Sequence, residues 1–305
     1  LPGSRFNVRE RVGTPEFLLD DWQRDLWYLG GERGGVTFLP WEVGFYDERC
    51  FFPERVWRPM DQNILLFIIV GFLAQMIDGA LGMAYGVSST TFLLSIGIPP
   101  VAASASVHTA EIFTTAASGL AHLRFGNVDP YLFRILLLPG IIGGVFGAYI
   151  LTAVPGTVIK PFVAVYLLLM GTVILRKAFR TVHETTVRTR LVPLGFIGGF
   201  LDAIGGGGWG PIVTSTLVAR GNHPKFAVGS VNLAEFFVTV AQSVTFVLTI
   251  GVVHWRIIVG LIIGGILAAP LAAYVCKRLP VRALMILVGA LIIALSLRTV
   301  YLALI

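Results

Sequence analysis

Six acidic residues follow Asp61, and four of them stand inside strongly apolar segments as two pairs, Asp78/Asp202 and Glu111/Glu235. A carboxylate at the centre of a membrane helix costs about 2.5 to 3.5 kcal/mol, so four cost on the order of 10 to 14 kcal/mol, comparable with the whole stability of many proteins. Carboxyls kept at such positions either move protons and gate a passage, or satisfy backbone N–H groups at a helix break. Each Asp opens the pattern D-x3-G-x3-G, as Asp78-Gly82-Gly86 and Asp202-Gly206-Gly210, and each pattern is followed by a Thr, Thr90 or Thr214. In the second instance the glycines thicken to Gly205-Gly206-Gly207-Gly208-Trp209-Gly210-Pro211, too rich in glycine for a continuous helix. A helix restarting after such a break presents unpaired N–H groups and the positive end of its dipole, which favours an anion. The competing reading is a small-residue seam for close helix packing.

Each Glu closes a second shared pattern, Ser106-Val107-His108-Thr109-Ala110-Glu111 and Ser230-Val231-Asn232-Leu233-Ala234-Glu235. His108 or Asn232 stands three residues before the Glu, on nearly the same helical face. His against Asn places an ionisable group on one side only, as a proton-coupled carrier would use, although a membrane His is also a common hydrogen-bonded structural group. The candidate substrate-binding residues are therefore Gly82, Gly86, Thr90 and Ser106 in the first set, with Gly206, Gly207, Gly208, Trp209, Gly210, Thr214, Ser230 and Asn232 in the second. The candidates for proton coupling or gating are Asp78, Asp202, Glu111, Glu235 and His108. No Gly-x-Ser-x-Gly or His-Glu-x-x-His is present, so nothing points to an intramembrane enzyme. Cys50 and Cys276 lie far apart, and neither a metal site nor a cofactor is expected.

These residues must be positioned by membrane helices. The 305 residues are 55% hydrophobic and 13% charged with a mean hydropathy of +0.81, against about 25% charged in soluble domains. The net charge of +6 sits at the ends of apolar runs rather than on one face, which argues against nucleic acid. Residues 1–62 hold 11 of the 17 acids and no span-length apolar stretch, and read as an extramembrane arm. Thr14-Pro15, Leu18, Trp22, Leu26 and Leu29 fit a helix lying on the lipid surface or packing on the protein. Beyond the arm, ten apolar segments run at about 64–82, 84–97, 101–123, 131–153 and 157–176, then 191–206, 209–220, 225–250, 255–276 and 281–302. The second of each five is shorter than the ~17 residues a span requires, and reads as a broken or re-entrant helix.

An ungapped offset of 124 makes 18 of the 58 positions between Gly71 and Val128 identical to their partners, so the chain is an internal duplication. The basic residues do not coincide between the copies: Arg220 and Lys225 fall opposite Ile96 and Val101, and Arg124 falls opposite Leu248. If short cytoplasmic loops collect Lys and Arg, one loop lies inside in one copy and outside in the other. The expected fold is an all-α polytopic protein of the cytoplasmic membrane. Two inverted-topology repeats, 63–176 and 191–305, flank a basic cytoplasmic linker, 177–190. Lys160, Arg256 and Arg298 do not fit that charge pattern.

From Gly195-Gly199 through Asp202-Ala203-Ile204-Gly205 and the glycine turn to Pro224 and Ala227-Val228-Gly229-Ser230, with a weaker echo in the first copy, the sequence resembles the TauE/SafE family of sulfite-exporter permeases. The resemblance covers about residues 64 to 302. It implies export of sulfite or a small organosulfonate such as sulfoacetate, with protons as the coupling ion. The expected partners are thus a small anion, protons and membrane lipid, and a homodimer is compatible with them. The first copy reads Ala80-Leu81-Gly82-Met83-Ala84-Tyr85-Gly86 and lacks the glycine run, so the halves are not expected to bind an anion equally. A carrier for another anion, a cation-coupled importer, and a receptor or scaffold are the competing functions.

Overall fold

The computed structural model describes residues 63–81, 83–179, 190–251, 254–276 and 281–304, all within one compact unit, Asp47–Ile305. The surface helix expected in the 1–62 arm, most of the linker and Gly82 lie outside the described residues. The described residues form ten α-helices and no strand. The first repeat contains α1 (Ile64–Leu81), α2 (Tyr85–Ser95), α3 (Pro100–Arg124), α4 (Pro130–Ala153) and α5 (Gly156–Lys177). The second contains α6 (Leu191–Gly205), a π-helical turn (Gly210–Thr214) running into α7 (Ser215–Ala219), then α8 (Pro224–Ile250), α9 (Trp255–Cys276) and α10 (Val281–Leu304).

Local chemistry sets these boundaries. Prolines, whose missing N–H is no loss in a first turn, open α3, α4 and α8 at Pro100, Pro130 and Pro224. Asp129 caps α4, its Oδ1 accepting from the Tyr131 and Leu132 N–H groups at 2.8 and 3.4 Å. Helices α4, α5, α8 and residues Met285–Leu302 of α10 are long and apolar enough to cross a membrane. The outward faces carry large exposed side chains such as Leu138, Phe146 and Leu169, as lipid contact requires.

Equivalent helices of the two repeats run in opposite directions. Between α3 and α8, Asn232 donates to Ser118 at 3.0 Å while His108 stacks on Phe246, so one chain ascends as the other descends. Between α5 and α10, Gly171 meets Ile292 while Phe179 lies under the Arg282 guanidinium. The inter-repeat pairs α1 with α9 and α6 with α4 are instead parallel: Phe67 meets Gly260 and Gly71 meets Leu261, as Leu136 meets Gly195 and Gly147 meets Phe200. This is the pattern of an inverted duplication.

The directions also settle how the short helices run. Helix α1 descends beside α9, and α2 then returns, because the Arg298 guanidinium near the C-terminal end of α10 donates to the Ser95 carbonyl at the end of α2. Each short helix therefore turns back along the helix before it, forming a hairpin. Arg298, which did not fit the charge pattern, caps a helix C-terminus rather than marking a cytoplasmic loop.

Glycines let the parallel pairs approach backbone to backbone. A Cβ at Gly199 would collide with the Gly140 carbonyl, one at Gly143 with the Phe196 carbonyl, and one at Gly264 with the Ile68 carbonyl. Gly199→Leu is expected to destabilise the fold by roughly 3 kcal/mol or more by overpacking this seam. Gly156→Leu, with open space beyond Gly156, is expected to leave stability unchanged; thermal unfolding in detergent compares the two.

Candidate functional site

Helix α6 stops at Gly205 because Gly206 turns left-handed at φ 65°, and Gly207 and Gly208 continue at φ 145° and 157°, conformations that glycine adopts without strain. Such a stop frees backbone groups that no water reaches. The turn itself and neighbouring helices supply the missing partners. The Asp202 carbonyl accepts from the Gly207 N–H at 3.0 Å and from His108 Nε2 at 3.2 Å, and the Ala203 carbonyl from Ser104 at 2.6 Å. The Gly206 carbonyl takes the Thr90 hydroxyl, and the Gly207 carbonyl takes Tyr166 OH at 2.9 Å. On the far side of the break, Asp202 Oδ1 accepts the Trp209 N–H at 2.9 Å, while Oδ2 accepts Gln242 Nε2 at 3.0 Å. The Asp202 side chain thus caps the restarting helix.

The first repeat repeats the device with fewer supports. Asp78 Oδ1 accepts the Tyr85 N–H at 3.3 Å, the counterpart of the Asp202–Trp209 bond. Ala84 holds φ 93° at the N-terminus of α2, a left-handed conformation that costs a residue with a Cβ about 1 kcal/mol. The two breaks touch. A Cβ on Gly86 would lie 2.7 Å from the Gly207 Cα, 3.0 Å from the Gly206 carbonyl oxygen and 2.8 Å from Glu111 Oε1.

Where the breaks meet, a small cavity opens between Asp78, Gly86, Glu111, Gly208, Asn232 and Glu235. Its volume of about 20 Å³ suits one or two water-sized molecules, so any larger solute requires the walls to part. Gly86 and Val87 of the first repeat and Gly208 of the second line the same space. Glu111 is only 4% exposed; its Oε2 meets His108 Nδ1 at 2.9 Å, and its Oε1 is directed at Gly86. His108 is fully buried, stacked on Phe246 at 6.3 Å, with Asp202 Oδ2 4.0 Å from Nδ1. The carbonyl on Nε2 can only accept, so Nε2 carries a hydrogen. The Nδ1–Glu111 contact then needs one proton, held by either the imidazole or the carboxyl.

The structure therefore brings Asp78, Gly86, Glu111, Gly208, Gly210, Asn232 and Glu235 to the cavity, with Asp202 and His108 directly behind it. Other candidates lie elsewhere. Trp209 is fully buried among Gly140, Gly198 and Val238, and its indole N–H donates to the Val231 carbonyl at 3.1 Å. Ser230 bonds both backbone groups of Asp129, at 2.8 and 3.2 Å, tying α8 to the α3–α4 turn. Thr90, Gly206 and Gly207 hold the two breaks together. Ser106 and Thr214 are buried, with hydroxyls unpaired among the described residues.

Gln242, Tyr166, Tyr85, Thr115 and Ser118 were not singled out from the sequence. The 124-residue offset carried a signal for four of them: Ser118 falls opposite Gln242, Tyr85 opposite Trp209, and Thr115 opposite Thr239. Thr115 and Thr239 each return a hydroxyl to the carbonyl of the Glu four residues earlier. Tyr166 falls opposite an alanine and carried no signal. The unequal support of the two aspartates gives a test. Asp202→Ala strands the Trp209 N–H and Gln242 in the interior and is expected to destabilise by about 2 to 4 kcal/mol, whereas Asp78→Ala is expected to lose about 1 kcal/mol. Thermal unfolding of the purified variants measures the difference.

Comparisons with known proteins agree with this geometry. Residues 67–299 match the family described as "Sulfite exporter TauE/SafE". The chain is 44% identical over 248 residues to the "Probable membrane transporter protein YtnM" of Bacillus subtilis (strain 168), covering 78% of this chain and 83% of that protein. It is also 26% identical over 224 residues to the "Probable membrane transporter protein YdhB" of the same organism, covering 71% and 88%. No solved structure matches. Two opposed hairpins meeting at a carboxyl-lined cavity in a multi-pass membrane protein, together with the family match over most of the helical region, identify the chain as a membrane transporter of the sulfite exporter TauE/SafE family.

Proposed function

We propose that this transporter exports a small sulfur-containing anion, sulfite or an organosulfonate such as sulfoacetate, across the cytoplasmic membrane, with protons as the coupling ion. The observation that carries this reading is the cavity at the meeting of the two breaks, which Gly86 and Gly208 line from opposite repeats. An oxyanion accepts hydrogen bonds from several directions, which two opposed helix starts supply and a single one does not. Asn232 adds a side chain that can donate. Proton coupling is supported by the His108–Glu111 contact, which holds one movable proton beside the cavity. The family's description as a sulfite exporter fits this substrate class.

A second reading, a cation-coupled carrier, is favoured by the three carboxyl groups on the same cavity. Proteoliposomes loaded with sulfite, sulfoacetate or taurine separate the two readings. The proposal predicts release of at least one of the sulfur anions at a rate that changes with an imposed pH gradient and not with an imposed sodium gradient. Release set by sodium alone selects the second reading, and no release of any of the three refutes both the substrate class and its coupling. His108→Asn is expected to slow proton-dependent release by on the order of 10-fold or more, because it removes the group that shares the proton with Glu111.

A further inference from the structure

We infer that the anion and its protons occupy this cavity together and cross the membrane in the same direction. The inference rests on the anion-binding reading of the cavity and adds the sign of the coupling. Three carboxyls from three helices reach the space: Asp78 from α1, Glu111 from α3 and Glu235 from α8. Among the described residues no Lys or Arg lines this space. Asp78 holds only the Tyr85 N–H, Glu111 keeps Oε1 free toward Gly86, and the Glu235 carboxyl has no side-chain partner among the described residues. Glu111 is almost completely buried, so its unpaired oxygen is a polar atom aimed into the site.

The other titratable or charged groups packed around the cavity do not supply a free positive charge. Helix α2 contributes Tyr85, whose OH donates to the Leu261 carbonyl at 3.3 Å, and α5 contributes Tyr166, engaged with Gly207. Helix α6 contributes Asp202, already shared between Trp209 and Gln242. His108 of α3 is committed to Glu111 and the Asp202 carbonyl. Lys177 of α5 points its ammonium at the Met83 sulfur, 3.1 Å away, and does not line the cavity.

An anion entering beside ionised carboxyls would meet like charges. Protonation reverses this. Each neutral carboxyl becomes an O–H donor, and the same residue that repelled the anion then binds it. Proton and anion affinity are thus positively linked, and linkage is reciprocal: the anion draws protons in as strongly as protons favour the anion. A carrier with that linkage moves both species one way. Export then consumes the anion's own gradient and carries protons outward with it, rather than exchanging the anion for incoming protons.

The test uses the full-length protein in proteoliposomes with a pH dye in a weakly buffered lumen, the membrane potential clamped to zero, and an outward gradient of sulfoacetate, whose acid groups are ionised at neutral pH. The inference predicts that the lumen becomes alkaline as sulfoacetate leaves and acidic when the gradient is reversed. The half-saturating concentration should rise on the order of tenfold per pH unit for each coupled proton. Glu235→Gln keeps a hydrogen-bonding amide but cannot ionise, and should move fewer protons per anion. Efflux that acidifies the lumen, or that moves no protons, overturns the inference and leaves the anion-carrier reading intact. Absence of sulfonate flux with active, folded protein removes the reading and the inference with it.

Discussion

A helix that breaks inside a membrane leaves peptide groups with no water to pair with, and each unpaired group costs several kcal/mol. Two such breaks are placed back to back here, and much of the polar chemistry in the molecule answers them. Asp202 and Asp78 lie seven residues before the N–H groups they accept, a distance that carries the carboxylate across the gap to the restarting helix. Ser104, His108, Thr90 and Tyr166 arrive from three other helices to satisfy carbonyls of the glycine turn. The inverted duplication makes this possible, because only opposed repeats bring one break against the other at the axis between α3 and α8.

The two halves divide the work unequally. In the second repeat the Asp is buried and shared between a backbone N–H and Gln242, and the glycine run is held on both sides by hydroxyl groups. In the first repeat Gln242 is replaced by Ser118, Ser104 has Val228 as its counterpart, and Asp78 keeps a longer bond and a face on the cavity. His108 against Asn232 continues the difference: the histidine bridges Glu111 to α6, while the asparagine reaches Ser118 across the axis and leaves Glu235 on the cavity. One break is thereby fixed and the other exposes its carboxyl to whatever enters. On the proposed reading, that inequality gives the anion a rigid wall to bind against and titratable groups facing it.

Much of this was legible in the sequence, for reasons that are local. The segment limits, the duplication, the opposed charge patterns and the interruption at Gly205–Gly210 follow from hydropathy, an ungapped offset and the intolerance of helices for glycine. Where side chains travel across the interior was not legible. Ser106 and Ser230 are identical by offset, yet one is buried within α3's packing and the other secures the α3–α4 turn at Asp129. Trp209 sits in the middle of the most distinctive motif but fills a pocket against glycines of α4 and α6 instead of facing the cavity. The aspartates were open to a coupling or a structural role, and their bonds to Trp209 and Tyr85 place both at the helix restarts, a contact set by three-dimensional closure rather than by spacing.

On the proposed reading, an anion bound between the two breaks is held by carboxyls that carry protons while it is there. Infrared difference spectroscopy on the full-length protein, recorded as sulfoacetate is added at neutral pH, observes those carboxyls directly. The expected result is a gain in protonated-carboxyl absorption on binding, reduced in Glu235→Gln and in Asp78→Asn. Saturating binding with no change in the carboxyl region, or with loss of protonated carboxyl, would contradict it.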